Sequence, residues 1–200
     1  MKLIVITDWS RPDCLERAIA AARVSPEVAI QHRQHGAPRE VFVENARRLR
    51  DACPSLFINS DAELARALGA GLHLPAHLEL AFEGPVTKAV HAENPSPVGR
   101  GTREAGGEGR TFLLSPVFAP SSKPEERAAL GVDGFQRLAA TLPGPVYALG
   151  GLTPERIAAL QPLAGAAVIG AVMHAPDAAR ATEALLEALS RAEPVRPRSA

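Results

Sequence analysis

The chain has 200 residues, 46% of them apolar and 4% aromatic, with 22 Lys and Arg balanced by 22 Asp and Glu. That length fits one domain with a full core. Zero net charge excludes a basic surface built for nucleic acid or an acidic membrane, and so few aromatic residues exclude a base-stacking platform.

Lys2 to Asp8 reads as a strand that turns polar at Thr7-Asp8. Cys14 to Val24 is an Ala-rich helix with Asp13 as its candidate cap, and Glu27 to Arg33 is a second strand. In Pro38 to Cys53 the apolar residues Val41, Phe42, Ala46 and Leu49 have helical spacing. Strands follow at Ser55 to Asn59 and Gly71 to Leu74, separated by a helix from Ala62 to Leu68 that Gly69 ends. His77 to Phe82 is a weak helix, Val86 to His91 a fifth strand and Thr111 to Val117 a sixth. After a helix at Asp133 to Leu142 come a strand at Val146 to Gly150, a helix at Pro154 to Leu163, a strand at Ala167 to Val172 and a helix at Asp177 to Ala192.

Eight strand–helix alternations imply parallel strands with helical crossovers. A closed (β/α)8 TIM barrel over residues 1–192 is preferred to an open doubly wound sheet, because no GxGxxG follows the first strand. Two stretches break the rhythm. Ala92 to Arg110 is dense in Gly and Pro, so an irregular loop is expected in place of the fifth crossover helix, and residues 193–200 read as a disordered tail. Cys14 and Cys53 have no CxxC or metal spacing, so two reduced thiols of a cytoplasmic protein are expected. The apolar start is too short for a signal peptide or membrane span.

Barrel chemistry gathers at the C-terminal ends of strands. Those ends carry Asp8, Gln31, Arg33, Asn59, His73, His91, Ser115, Gly150, Gly151 and Gly170. Gly150-Gly151 precede Thr153-Pro154-Glu155, a capped helix start, which suits an anion such as phosphate, though a tight turn also uses glycines. Gly170, one unit later with Ile169 before it, adds to that reading. Arg33 suits an anion or an ion pair with Asp8, and Lys123, beside Ser122, is an anion clamp or a solvated lysine. His91 is placed to move protons or to serve as a structural group, His73 looks like scaffold, and alternation turns His32 toward the helices. No residues show metal-ligand spacing.

Ile30-Gln31-His32-Arg33, Phe57-Ile58-Asn59-Ser60, Gly71-Leu72-His73-Leu74, Ala89-Val90-His91, Leu114-Ser115-Pro116-Val117-Phe118, Ala148-Leu149-Gly150-Gly151 and Ala167-Val168-Ile169-Gly170-Ala171 come in an order that resembles the thiamine phosphate synthase family, including its thiazole tautomerase branch. The resemblance runs from about Lys2 to Leu189 and implies a (β/α)8 barrel. It implies substrate or phosphate contacts from Gln31, Arg33, Asn59, Ser122, Lys123, Gly150, Gly151, Ile169 and Gly170, with His91 as the catalytic group. Family synthases join a thiazole phosphate to a hydroxymethylpyrimidine diphosphate with Mg²⁺. Here Asn59-Ser60 stands for the family's Asn-Asp, Pro75-Ala76-His77-Leu78 lacks the next acidic ligand, and Arg33-Gln34-His35 lacks the family Lys. The expectation is therefore a tautomerase-like enzyme of thiamine metabolism without a metal. The alternatives are a synthase, with Mg²⁺ as cofactor only in that case, or a non-catalytic binder. A small phosphorylated ligand is the expected partner, neither nucleic acid nor membrane is, and a homodimer stays open.

Overall fold

The computed structural model describes residues 1–91, 109–119, 128–160 and 163–191. Strands β1 (Leu3–Ile6), β2 (Val28–His32), β3 (Leu56–Asn59), β4 (Gly71–Leu74), β5 (Val86–His91), β6 (Arg110–Ser115), β7 (Val146–Leu149) and β8 (Gly165–Val168) pair in chain order and all parallel. β1 lies between β2 and β8, with Leu3 opposite both Val28 and Ala166, and this closes the barrel. The helices are α1 (Cys14–Val24), α2 (Arg39–Ala52), α3 (Ala62–Ala67), α4 (Gly131–Ala139), α5 (Pro154–Ala159), α6 (Gly170–Met173) and α7 (Ala178–Arg191). The expected (β/α)8 barrel is present.

Strand alternation divides the apolar residues into two layers. Leu3, Val5, Val28, Ile30, Ile58, Leu72 and Leu114 face outward and pack with helix residues such as Ala18, Ala21 and Leu49. Ile4, Ile6, Ala29, Phe57, Leu113, Tyr147 and Ala167 fill the barrel itself. Two glycines make room for the two rings in that inner set. Gly71 stands opposite Phe57 in the ladder and Gly165 opposite Tyr147. A Cβ on Gly71 would lie 2.5 Å from the Phe57 ring, and one on Gly165 would run into the Tyr147 ring. The Tyr147 hydroxyl donates to the Met1 carbonyl at 2.6 Å, so the ring spans toward the chain's start instead of leaving a buried hydroxyl unsatisfied.

Caps follow the expected chemistry at two helices. The Asp61 carboxylate accepts from Leu64 N–H at α3, and Thr153 Oγ1 accepts from Arg156 N–H at α5, with Pro154 in the first turn. Asp13 does not cap α1. Its carboxylate is taken by Arg11 and Arg17, at 2.9 and 2.6 Å.

Two expected elements are replaced. No helix forms at His77 to Phe82. On the outer face of β5 the buried Lys88 ammonium donates to the carbonyls of Pro75 and Leu78 and pairs with Glu79, which also holds Arg110. Those carbonyls satisfy a buried cation, and the segment lies over β5 as an irregular strap. The expected strand Ala167 to Val172 is instead β8 followed by the one-turn α6. Ile169, at φ −118° and ψ −84°, turns the chain, and helical spacing then buries Val172 and Met173. An apolar run this short fits strand or helix equally. Arg110, expected at the end of a loop, opens β6, and residues 92–108 of that loop lie outside the described residues, as does the tail at 193–200. Among the described residues, no helix is long and apolar enough to cross a membrane.

Burial pushes the Cys14 thiol up to about 12 and the Cys53 thiol up to about 11, so neither is a nucleophile near neutral pH. Burial also holds His32 and His73 at about 4.

Gly71→Ala is expected to cost about 1–3 kcal/mol by overpacking. Phe57→Leu in the same chain should recover part of that loss, which urea unfolding of the two single variants and the double variant measures. The histidines give a second outcome. Below pH ~6.5 the unfolded chain takes up protons that buried His32 and His73 refuse, so stability falls as pH drops from about 6.5 to about 4. Each contributes a slope of roughly 1.4 kcal/mol per pH unit in that window. A stability profile flat between those limits would contradict the neutral assignment.

Candidate functional site

The inner positions of the strands become polar at their C-terminal ends. Continuing the inward alternation past Ile6, Ala29, Phe57 and Leu113 gives Asp8, Gln31 and Arg33, Asn59, and Ser115. β5 contributes His91, paired in register with Ser115, and β7 and β8 contribute Leu149 and Ile169. These ends surround an open cleft of ≈ 1000 Å³.

One hydroxyl fixes the β1–β2 side. Thr7 Oγ1 accepts from the Arg33 backbone N–H at 2.9 Å and from the Trp9 indole N–H at 3.0 Å, and it lies within 3.3 Å of the Gln31 carbonyl and 3.1 Å of the Arg33 carbonyl. Behind it His32 faces the helices, as alternation requires. Its Nε2–H donates to the Phe42 carbonyl at 3.0 Å, its ring stacks on Phe42, and Trp9 meets it edge-on.

The ionisable groups of the cleft are paired. Arg33 Nε–H donates to His35 Nε2 at 2.6 Å, which assigns the neutral His35 proton to Nδ1. Burial and then the Arg33 charge hold His35 below the usual imidazole range. Asp8 does not pair with Arg33. It accepts from His174 at 2.8 Å and from the Ser10 hydroxyl at 2.7 Å, and the His174 contact is the main reason its carboxyl lies below the usual range. His91 Nδ1 and Ser115 Oγ are 3.1 Å apart. His73 is buried on Thr87 Oγ1 at 2.8 Å, the scaffold role expected of it.

Of the residues read from the sequence, Asp8, Arg33, His91, Ser115, Gly150 and Ile169 line the cleft. Gln31 lies beneath, its amide nitrogen 3.5 Å from Asn59 Oδ1, and its Oε1 is buried without a partner among the described residues. Asn59 donates to Ser60, which holds φ +63° although it is not glycine. Gly151 and Gly170 flank Gly150 and Ile169 in the chain without lining the cleft. Ser122 and Lys123 lie outside the described residues.

The glycine turn has a reason that precedes any ligand. Gly150 and Gly151 have φ +105° and +60°, and a Cβ on Gly151 would stand 2.7 Å from the Ala119 carbonyl oxygen. The turn is seated on the segment after β6 through Val117 N–H to Leu149 O and Phe118 N–H to Gly150 O. Gly170 differs: its Cβ would meet only His174, at 3.8 Å. Thr7, Trp9, Ser10, His35 and His174 went unnoticed as site residues. The first three adjoin Asp8, so strand-end position was an available signal. His174 stands just past the expected strand Ala167 to Val172, so its place after the eighth strand was a signal too.

The donor set does not fit a Mg²⁺ site. Neutral Asn59 and Ser60 stand on β3 and its exit, Asp8 is engaged by His174 and Ser10, and no cluster of three or more His, Cys, Asp or Glu forms among the described residues.

A family model described as "Thiamine monophosphate synthase" matches residues 100–175. The thiamine biosynthesis bifunctional protein ThiM/ThiE of Symbiobacterium thermophilum is 32% identical over 95% of this chain, which spans 41% of that protein's length. The thiamine-phosphate synthase of Chloroflexus aurantiacus is 30% identical over 92% of this chain and 90% of its own. The structure of thiamine phosphate pyrophosphorylase from Pyrococcus furiosus superposes with a TM-score of 0.78 over 96% of both chains at 24% identity, a likeness of fold.

Thr7→Val removes the shared acceptor while keeping the shape. It should cost about 1–3 kcal/mol, since buried donors are left unsatisfied. Thr7→Ser should keep most of that stability in urea unfolding, and equal midpoints for Thr7→Val and wild type would remove Thr7 from this role.

Proposed function

Since the chain belongs to the thiamine-phosphate synthase family, we propose that it acts in thiamine-phosphate metabolism by joining two phosphorylated heterocycles. The observation that carries this reading is the continuity of the cleft from Gly150 and Ile169, at the ends of β7 and β8, to Arg33 and Trp9 beside β1 and β2. At ≈ 1000 Å³ the cleft is at the top of the usual range for ligand pockets and has room for two small ligands. Three relatives aligned over most of this chain, at 30–32% identity, carry the synthase name.

In that reaction the thiazole nitrogen bonds to the methylene carbon of the pyrimidine as the methylene C–O bond breaks, and pyrophosphate leaves with the electron pair. The thiazole phosphate is assigned to the β7–β8 end, where Gly150 and Ile169 line the cleft and the Gly170 backbone N–H follows Ile169. Arg33, turned toward the cleft and held by His35, faces the anionic leaving group. Holding the two heterocycles in one orientation is the chain's main contribution.

A second reading, aromatisation of a thiazole carboxylate phosphate, is favoured by the neutral residues Asn59 and Ser60 where the family places a metal carboxylate, and by the His91–Ser115 pair at the cleft. It needs a proton moved and no pyrophosphate released.

Purified protein assayed with both substrates, with and without Mg²⁺, and separately with the unaromatised thiazole, decides between them. Joining at a rate within the ordinary range of about 1–10³ s⁻¹ is expected. Aromatisation alone would overturn the first reading in favour of the second, and His91→Ala should then lower it by about 10²–10⁴-fold. Gly170→Ala, which the fold accommodates, should weaken thiazole phosphate binding at least tenfold, about 1.4 kcal/mol, in calorimetry. Undiminished affinity would move the phosphate elsewhere.

A further inference from the structure

We propose that Trp9 is a specificity-determining wall of the cleft, against which a planar nitrogen heterocycle lies while its anionic group reaches Arg33. This rests on the reading above, in which a pyrimidine diphosphate enters beside a thiazole phosphate.

The chain has one tryptophan, and it lies on this cleft. No Phe or Tyr joins it among the described lining residues, and the β7–β8 end offers Leu149, Gly150 and Ile169. The one indole of the site is therefore on the β1–β2 side, with the smaller imidazole of His91 at the end of β5. Trp9 is held there before any ligand arrives. Its N–H is committed to Thr7 Oγ1 at 3.0 Å, and its ring meets His32 at 79° with centroids 5.5 Å apart. His32, kept neutral by burial, is in turn stacked on Phe42 of α2 at 4.3 Å. A wall fixed in this way loses little rotamer freedom when a ring settles on it.

The same Thr7 oxygen that receives the indole N–H receives the Arg33 backbone N–H at 2.9 Å. The wall and the backbone that carries the cation are therefore tied to one oxygen. Arg33 Nε is spent on His35, and its terminal nitrogens carry the remaining donors of the guanidinium fork. Pro38 and the exposed Val41 of α2 extend the apolar side of the cleft next to them. A ligand that satisfies this arrangement is a flat ring with a short anionic arm. An anion with no ring would use only half of it.

The full chain is titrated with hydroxymethylpyrimidine diphosphate, thiazole phosphate and inorganic pyrophosphate, by calorimetry and by tryptophan fluorescence. The pyrimidine diphosphate should change the Trp9 emission, and the other two should leave it nearly unchanged. Trp9→Leu should weaken pyrimidine diphosphate binding roughly 5- to 150-fold, the equivalent of the ~1–3 kcal/mol that ring stacking contributes. It should leave thiazole phosphate affinity intact, and Trp9→Phe should recover most of the loss. Pyrimidine diphosphate that binds in calorimetry with unchanged emission and equal affinity for Trp9→Leu overturns the proposal while leaving the two-ligand reading standing. No pyrimidine diphosphate binding by wild type overturns both. Should Trp9→Leu lose thiazole phosphate binding as well, the wild-type emission decides alone.

Discussion

Closure of the sheet is the constraint on which the molecule depends. β1 must pair on both edges, and β8 can reach it only where the interior is not already full. Gly165 supplies that room: the Tyr147 ring occupies the space a side chain there would need, and its hydroxyl ties to the Met1 carbonyl. The Lys2 carbonyl then accepts from Ala166 N–H at 2.9 Å, and the β1–β8 ladder follows. Once the circle is closed, every strand's inner face points at a common axis. Asp8, Arg33, His91 and Ser115 arrive at one mouth from four different strand ends because of that geometry.

The interior and the exterior of the barrel solve different problems. Inside, large and missing side chains alternate so that rings fill the space left by glycines. Outside, Lys88 is 1% exposed in a layer made mostly of apolar side chains. It is tolerated because two carbonyls and the Glu79 carboxylate surround it, and those carbonyls come from the segment that would otherwise be the crossover helix after β4. A buried ammonium without such partners would cost several kcal/mol. The irregular strap is thus the form this segment takes when its backbone oxygens serve a cation.

Much of the architecture was legible in the sequence because strand and helix periodicities differ. Cys14–Val24 and Val86–His91 have the bounds that spacing alone predicts. The failures turn on side-chain partners that periodicity does not reveal, whether near in the chain, as where Arg11 and Arg17 take the Asp13 carboxylate, or further on. Nothing within His77 to Phe82 announces that Lys88 will take its carbonyls. Ala167 to Val172 is apolar throughout, so it fits equally a strand or the helical turn that follows β8. The candidate site was legible as a set of polar strand ends, since alternation places them without further information. The links between them were not. Asp8 meeting His174 and Arg33 meeting His35 depend on rotamers and on the path of loops, and the glycines at 150 and 151 turn out to be demanded first by the chain's own backbone.

The two cysteines lie under helices with their thiols far from ionisation. In practical terms the native chain is almost inert toward maleimides and similar reagents under mild conditions. A single cysteine placed on the rim, for instance at the exposed Ser10 beside the cleft, would then be the one modifiable handle on the folded protein. That gives a site for a spin label or fluorophore with no need to remove Cys14 or Cys53, whose replacement would disturb the layer between strands and helices.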